Sequence, residues 1–585
     1  MASLTEAAFA AVLAAAGLSQ FEVTYLTGAA PAHGVRETAG RVRVRSIVDE
    51  FDPALRIIWE REIELPVFQL PEDARVFTRE RWTGAPLTAG WVRSDKAVLW
   101  TAAPLGARGY ERYPYLIQAL GELGARPLAE ARHLWAFFDS SYRLRADPDY
   151  LARRWRAGGI AALHVAAWHY WEPDPQRDEY LRRLIEACHR HAILVYAWIE
   201  FPHVSERFWQ DHPEWREKTA TLQDAHLDWR KLMNLFNPDC AAAAGRGLEA
   251  LAGRFDWDGV NLGELYFESL EGAASPARFT PFNEDVRRMF QERHGVDPLA
   301  LFEPPHSAKL PLFLDFRAEL AHRLQTEWLG RLASLREAKP HLDLVLTHID
   351  DRFDATMREK LGADAARLLP EAERLGVTFL IEDPATIWHL GPERYPEIAR
   401  RYAPLTRRPE LLAIDLNIVE RYQDVYPTKQ QTGVELLQLV HRAAEAFPRV
   451  ALYFENSIAA PDWPWLAAAA AAPGRLNAGD GWAEAEVRRP TVLRWQGCAL
   501  VNGKPWPAGG EQHVLLPAGA VRVAACGGPA DRPLLDFNGT LISAERTQGG
   551  LLLEYESKTR AIAVTKEGYR LLPPGRGKVE LSTGN

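Results

Sequence analysis

Cysteine is scarce in this chain, with four in 585 residues, at positions 188, 240, 498 and 526. No two form a CxxC pair, so the spacing supports neither a zinc ligand set nor a disulfide framework; Cys498 and Cys526 could pair within the last domain, but buried free thiols are the expected state. Basic excess is also missing: the formal net charge is −9. Without a basic face there is no electrostatic footprint for nucleic acid, and the mixed Arg/Glu stretches read as solvated helix surfaces. No apolar run reaches the ~20 residues of a membrane-spanning helix, so membrane insertion is not expected. The opening MASLTEAAFAAVLAAAG has no Lys or Arg before its apolar run and carries Glu6, which predicts an amphipathic helix rather than a signal peptide. Without a signal peptide the chain as given is expected in the cytoplasm, and an upstream leader would place it in the periplasm or outside the cell.

What is present is ordinary for a soluble globular protein, with 47% hydrophobic and 25% charged residues. The length predicts two to four domains. The unusual feature is the presence of 20 tryptophans. Trp168, Trp171 and Trp198 crowd near predicted strand ends, where aromatic faces suit stacking on sugar rings.

Residues 1–127 mix strand-like segments (42–48, 96–102) with Pro/Gly-rich turns and close on a helix ended at Gly124. This order resembles the tail of a glutamine-amidotransferase-like α/β domain, one without catalysis because no cysteine precedes Cys188. From residue 134 short β-branched or aromatic runs alternate with amphipathic helices, the pattern of βα units. Eight strands are predicted, at 134–141, 160–168, 193–201, 257–267, 342–350, 377–383, 411–418 and 450–457. Eight such repeats across 128–473 predict a TIM (β/α)8 barrel. Residues 474–585 turn to Gly/Pro punctuation and short alternating runs, which predicts a β-sandwich with a hairpin turn at Asn538-Gly539.

Nearly every predicted barrel strand is apolar early and polar at its carboxyl end. Those ends carry Asp139, His164, Glu200, Glu264, Asp350 with Asp351, Glu382 with Asp383, Asp415 with Asn417, and Glu455 with Asn456. In a TIM barrel they converge on the face where active sites sit. Like charges crowded on one rim cost stability unless something uses them. A metal site is not expected: strand one has Phe137, Phe138 and Asp139 where an HxH would stand, and His189 and His191 read as surface or capping groups.

Four pieces occur in order: CHRHAILVYAWIEF (188–201), DHPEW (211–215), NLFNPD (234–239) and FDWDGVNLGELYF (255–267). Together they resemble a bacterial glycoside-hydrolase family known as glycosyl-hydrolase-like family 10, which implies a TIM-barrel catalytic domain. In that family's DGI-x-F-D-D-Y-F pattern two carboxylates follow the leading Asp by five and six positions; here Gly263 and Glu264 stand there. Asp258-Gly259 reads as a tight turn into the strand, and Asn237-Pro238 as a turn over the barrel mouth.

Glycoside hydrolysis needs two carboxyl groups, one to protonate the leaving oxygen and one to attack the anomeric carbon or activate water. Glu264 is the first candidate and Glu382 its expected partner, with Asp350 and Asp351 next, beside Arg352. Asp415 and Glu455 are weaker candidates, placed with the substrate-binding groups. Asn261 and Asn417 would orient hydroxyls, His164 and His348 would donate to them, and Tyr266, Trp168 and Trp198 would stack. No cofactor is implied, and the expected partner is a carbohydrate. The leading reading is a glycoside hydrolase of a polysaccharide or oligosaccharide. The alternatives are a non-hydrolytic carbohydrate-binding or exopolysaccharide-assembly protein on a degenerate barrel, and a metal-dependent TIM-barrel hydrolase.

Overall fold

The computed structural model describes residues 2–141, 145–267, 269–418, 431–472 and 474–582. Its centre is a closed barrel of eight parallel strands: β1 Leu134–Phe138, β2 Ile160–Ala166, β3 Leu194–Ile199, β4 Gly259–Gly263, β5 Asp343–Ile349, β6 Thr378–Glu382, β7 Leu412–Asn417 and β8 Val450–Tyr453. Each strand pairs with the next and β8 closes on β1. The (β/α)8 expectation is met strand for strand. Three helices, after β1, β2 and β3, begin where the sequence places a short polar residue before proline. Asp147, Asp174 and Asn237 each accept a backbone N–H of the helix they open, and proline follows at the first helical position, where its missing N–H costs nothing. Asn237-Pro238 is therefore a helix cap rather than a turn over the mouth.

Alternation along the strands sends every second residue into the lumen. Trp135, Phe137, Leu194, Tyr196 and Trp198 fill it from β1 and β3, against Ala162, Ala166, Ala413 and Ala451 from β2, β7 and β8. Large rings opposite alanines pack the interior to a solid core. Gly259 belongs to this packing, because a Cβ there would lie 2.2 Å from the Tyr196 ring. Close approach, not an unusual turn, requires the glycine.

The amino-terminal residues form a six-stranded mixed sheet in the order Val23–Thr27, Lys96–Thr101, Pro86–Arg93, Arg75–Glu80, Arg36–Asp49, Ile57–Gln69. Only its first two strands pair in parallel. The helix Ala2–Ala15 buries Phe9, Val12 and Ala15, and the hydrophobic core runs without a break from this sheet into the barrel helices.

The carboxyl-terminal residues form antiparallel sheets around a separate core, joined by the strand Ala129–Ala131, which pairs with Thr491–Arg494. Cys498 and Cys526 form a disulfide. This corrects the reading of free thiols: Ala499 pairs with Ala525 across antiparallel strands, so the residues one step outward face each other. Asn538-Gly539 is also not a hairpin. It carries the chain from Leu534–Phe537, paired with Ala561–Thr565, into Thr540–Arg546 of another sheet.

These sheets close the floor of the barrel. Ile562 joins the lumen core, with Val564, Tyr569 and Leu571 packed against it. Arg560 reaches Asp258, just ahead of β4, with its Nε 2.6 Å from Oδ1. Asp258 Oδ2 lies 2.9 Å from His189 Nε2 and accepts the Val195 N–H at 2.7 Å. Burial opposes the charge of Asp258, but His189 and Arg560 hold its carboxyl below the usual range. His189 is thus a buried partner of Asp258 and not a surface group. His191 is half-buried, 3.3 Å from Asp149.

Candidate active site

At the open, carboxyl-terminal end of the barrel the lumen alternation turns polar. Tyr196 and Trp198 are followed inward by Glu200, Leu380 by Glu382, and Ala413 by Asp415 and Asn417. Glu382 and Asp415 are neighbours in register, and Asn417 Nδ2 donates to Glu382 Oε1 at 3.1 Å. Glu264 follows Leu262 on the outward face of β4, yet its backbone is left-handed, with φ of 47°. That conformation breaks the alternation and turns the carboxylate inward.

Glu264 meets Arg230 there. Arg230 rises from a small hairpin, His226–Leu227 against Arg230–Lys231, whose turn residue Asp228 also has positive φ. Its Nη2 bonds both Glu200 Oε1 and Glu264 Oε2. Gly263 has a steric role in the same place: a Cβ there would lie 2.6 Å from Glu200 Oε2 and 2.9 Å from Trp198 Nε1. The carboxyl group that the strand-four pattern puts at this position is thus replaced in space by Glu200, from the adjoining strand.

These groups sit in a poorly solvated, mutually charged mouth. Burial pushes the Glu200 carboxyl up to about 7, opposed by Arg230 and reinforced by Glu264. Glu382 is raised well above the carboxylate range by burial, then by Glu264 and Asp415, while the Asn417 hydrogen bond opposes. Asp415 is raised by burial, then by Asp383 and Glu264. The phenol of Tyr266, 3% exposed, is raised by burial and by Glu264 and Glu382.

Aromatic rings line one wall. Phe137 and Tyr453 make edge contacts with Trp198, at 4.9 and 5.7 Å between centroids. Trp168 packs edge-on against Trp198 at 4.7 Å and stacks on Trp229 at 5.3 Å. Trp229, on the Arg230 hairpin, is 48% exposed and forms the outer end of the wall.

Other expected site residues lie elsewhere. His164 and Asn261 are in a sealed layer beneath the mouth: Asn261 Nδ2 donates to His164 Nδ1 at 3.1 Å and Thr347 Oγ1 to Asn261 Oδ1 at 2.9 Å. Burial pushes His164 down to about 3, so the ring is neutral. His348 points outward, between Phe379 and Tyr266 and 4.0 Å from Asp351. Asp350 accepts the backbone N–H groups of Arg352, Phe353 and Asp354. Asp351 binds the Arg352 guanidinium and the Ala365 N–H. Glu455 accepts the Trp155 indole N–H at 3.0 Å among the outer helices. These carboxylates hold loops and helices in place. The mouth brings together Glu264, Glu382, Asp415, Asn417, Tyr266, Trp168 and Trp198, and adds Glu200, Trp229 and Arg230. Glu200 was legible from its two-residue step beyond Trp198; nothing in the sequence marks Trp229 or Arg230. Among the described residues no group of three or more His, Cys, Asp or Glu is placed to hold a metal ion.

No family model and no curated protein matches the chain. Among solved structures it is similar to the glycoside hydrolase domain of PgaB (BpsB) from Bordetella bronchiseptica, with 13% identity, TM-score 0.41 and coverage of 56% of this chain and 94% of that one. It is similar to the β-galactosidase of the psychrophilic Marinomonas ef1, with 12% identity, TM-score 0.41 and 58% of each chain covered, so it spans little more than half of that enzyme. An Anoxybacillus α-amylase aligns at 10% identity and TM-score 0.34, over 78% of this chain and 99% of that one. The resemblance to glycosyl-hydrolase-like family 10 stands only as a distant likeness to glycoside hydrolases, and at these identities and scores it assigns neither a family nor an activity.

Proposed function

We propose that the chain is a glycoside hydrolase of an oligosaccharide or polysaccharide, with Glu382 as general acid and Glu264 as the anionic partner. One observation carries this reading: two carboxyl groups of the same mouth have opposite environments. Glu382 is desolvated and faces other acids, which keeps its proton on; Glu264 is ion-paired with Arg230. Such a division lets one group protonate the leaving oxygen while the other attacks the anomeric carbon or activates water. Asn417 orients Glu382, and Trp168 with Trp229 offers an aromatic face for a sugar ring. Arg230 also favours the binding-only reading, because it engages the Glu264 carboxylate.

The test is reducing-end release from a glycan panel by wild type, Glu264→Gln and Glu382→Gln. Each substitution is expected to lower the rate by about 10²–10⁴-fold. Because Glu382 works protonated, wild-type kcat/KM falls as pH rises through its elevated pKa, and Glu382→Gln flattens that alkaline limb. A wild type that binds glycan in calorimetry but releases no reducing ends defeats the hydrolase reading and leaves the binding one.

A further inference from the structure

A second cavity, of about 420 Å³, opens at the floor of the barrel, between the amino-terminal ends of the strands and the carboxyl-terminal sheets. Trp135, Leu194 and Tyr196 form its apolar back. Its volume is within the ~300–1,000 Å³ of small-molecule sites. The rest of the lining is strongly cationic: five arginine and lysine side chains against the carboxylates of Glu410 and Glu556.

The cations are poorly neutralised. Arg408 pairs with Glu410 at 2.9 Å, and Lys558 lies 3.5 Å from Asp343. Arg449, Arg488 and Arg489 have no carboxylate partner among the described residues. Arg449 lies over the Trp135 ring, at 5.5 Å from its centroid, and contacts only neutral oxygens. Arg489 donates to His133 Nε2 at 3.0 Å and to the Ala444 carbonyl at 2.6 Å. Two buried polar atoms on the lining, His133 Nδ1 and Asn538 Nδ2, have no hydrogen-bond partner. The field shows in the titration of the lining groups. Burial, then Arg489 and Arg449, push His133 well down; burial pushes Lys558 down to about 8, with Arg449 adding to it against Asp343. Guanidinium groups that outnumber the carboxylates around a cavity repel one another, and that repulsion is relieved by a bound anion. Arginine forks match tetrahedral oxyanions in geometry as well as charge.

We propose that this floor cavity is a binding site for a phosphate-type oxyanion, gripped by Arg449, Arg488 and Arg489 with Asn538 Nδ2 as an additional donor. It is separate from the carboxylate mouth and faces the opposite end of the barrel. The anion bridges barrel and carboxyl-terminal sheets, because Arg449 precedes β8 while Arg488, Arg489 and Asn538 belong to the carboxyl-terminal part.

The full chain is titrated with inorganic phosphate and with a hexose 6-phosphate by calorimetry, and melted in each at constant ionic strength against sodium chloride. Saturable binding with one site and a rise in Tm beyond that in chloride are expected. Arg488→Gln and Arg449→Gln should each weaken binding roughly tenfold or more. Arg488 is exposed and makes no structural hydrogen bond, so its variant keeps the fold even where Arg449→Gln disturbs the Trp135 contact. Equal affinity for both phosphates marks a site that reads the oxyanion alone; tighter hexose phosphate marks a sugar-phosphate site. A phosphate response no larger than that of chloride, or Arg488→Gln and Arg449→Gln proteins that bind as wild type does, overturns the proposal.

Discussion

Glu264 and Gly263 show how much of the mouth hangs on two backbone positions. A left-handed conformation at a residue with a Cβ costs about 1–2 kcal/mol, and Glu264 holds it while its carboxylate meets Arg230. Gly263 has an ordinary backbone but no room for a side chain beside Glu200 and Trp198. Gly263→Ala is therefore expected to destabilise the protein by about 1–3 kcal/mol, the usual cost of overpacking. Part of that loss should vanish in a Glu200→Ala background, because the clashing carboxyl is gone while the Trp198 contact stays. A double-mutant cycle by urea unfolding checks this, and additive effects would show that Glu200 does not fill the space. Strand alternation carried part of this layout. It put Glu200, Glu382 and Asp415 on the lumen side with Trp198, Leu380 and Ala413. It failed at Glu264, where the backbone departs from extended geometry, and it had no purchase on Asp350, Asp351 and Glu455, which lie where strands have given way to turns and point wherever loop hydrogen bonds draw them.

Among the elements, barrel strands and helices were legible because burial on both faces makes near-continuous apolar runs and three of the helices begin at Asp-Pro or Asn-Pro caps. Pairing between distant strands was not, and so the pairing of Cys498 with Cys526 was only the lesser alternative until the register of their sheet was known. The hairpin at 226–231 was hidden for another reason: two-residue strands leave no periodic signal. It is nevertheless the element that completes the mouth, with Arg230 directed inward and Trp229 outward beside Trp168. If Trp229 contributes the outer sugar-stacking face, its contact is made in ground and transition states alike. Trp229→Ala should then raise KM roughly tenfold and leave kcat nearly unchanged. Steady-state kinetics on the substrate found with wild type reads this, and a fall confined to kcat would move Trp229 from binding to positioning Arg230.

On the scale of the whole molecule the barrel has one open end, because the carboxyl-terminal sheets seal the other with Ile562 and with buried ion pairs. One of these centres on Asp536, gripped by Arg156 through Nε at 2.8 Å and Nη2 at 2.7 Å and by Arg132 at 3.1 Å. Burial opposes its ionisation, but Arg156 and Arg132 outweigh it and hold the carboxyl well below the usual range. A depressed native pKa means that the unfolded chain takes up the proton first as pH falls. The stabilisation is complete above the unfolded value near 3.9 and drains away below it. Asp536→Asn removes that dependence and leaves two arginines without their counter-ion, a loss of about 3–5 kcal/mol at neutral pH. Thermal melts from pH 7 to pH 2.5 should show a large deficit for Asp536→Asn at pH 7 that narrows below pH 4, as wild type loses what the variant already lacks. Parallel curves with a constant gap would mean that the acid sensitivity resides elsewhere, with Asp258 and its Arg560 and His189 partners the next pair to remove.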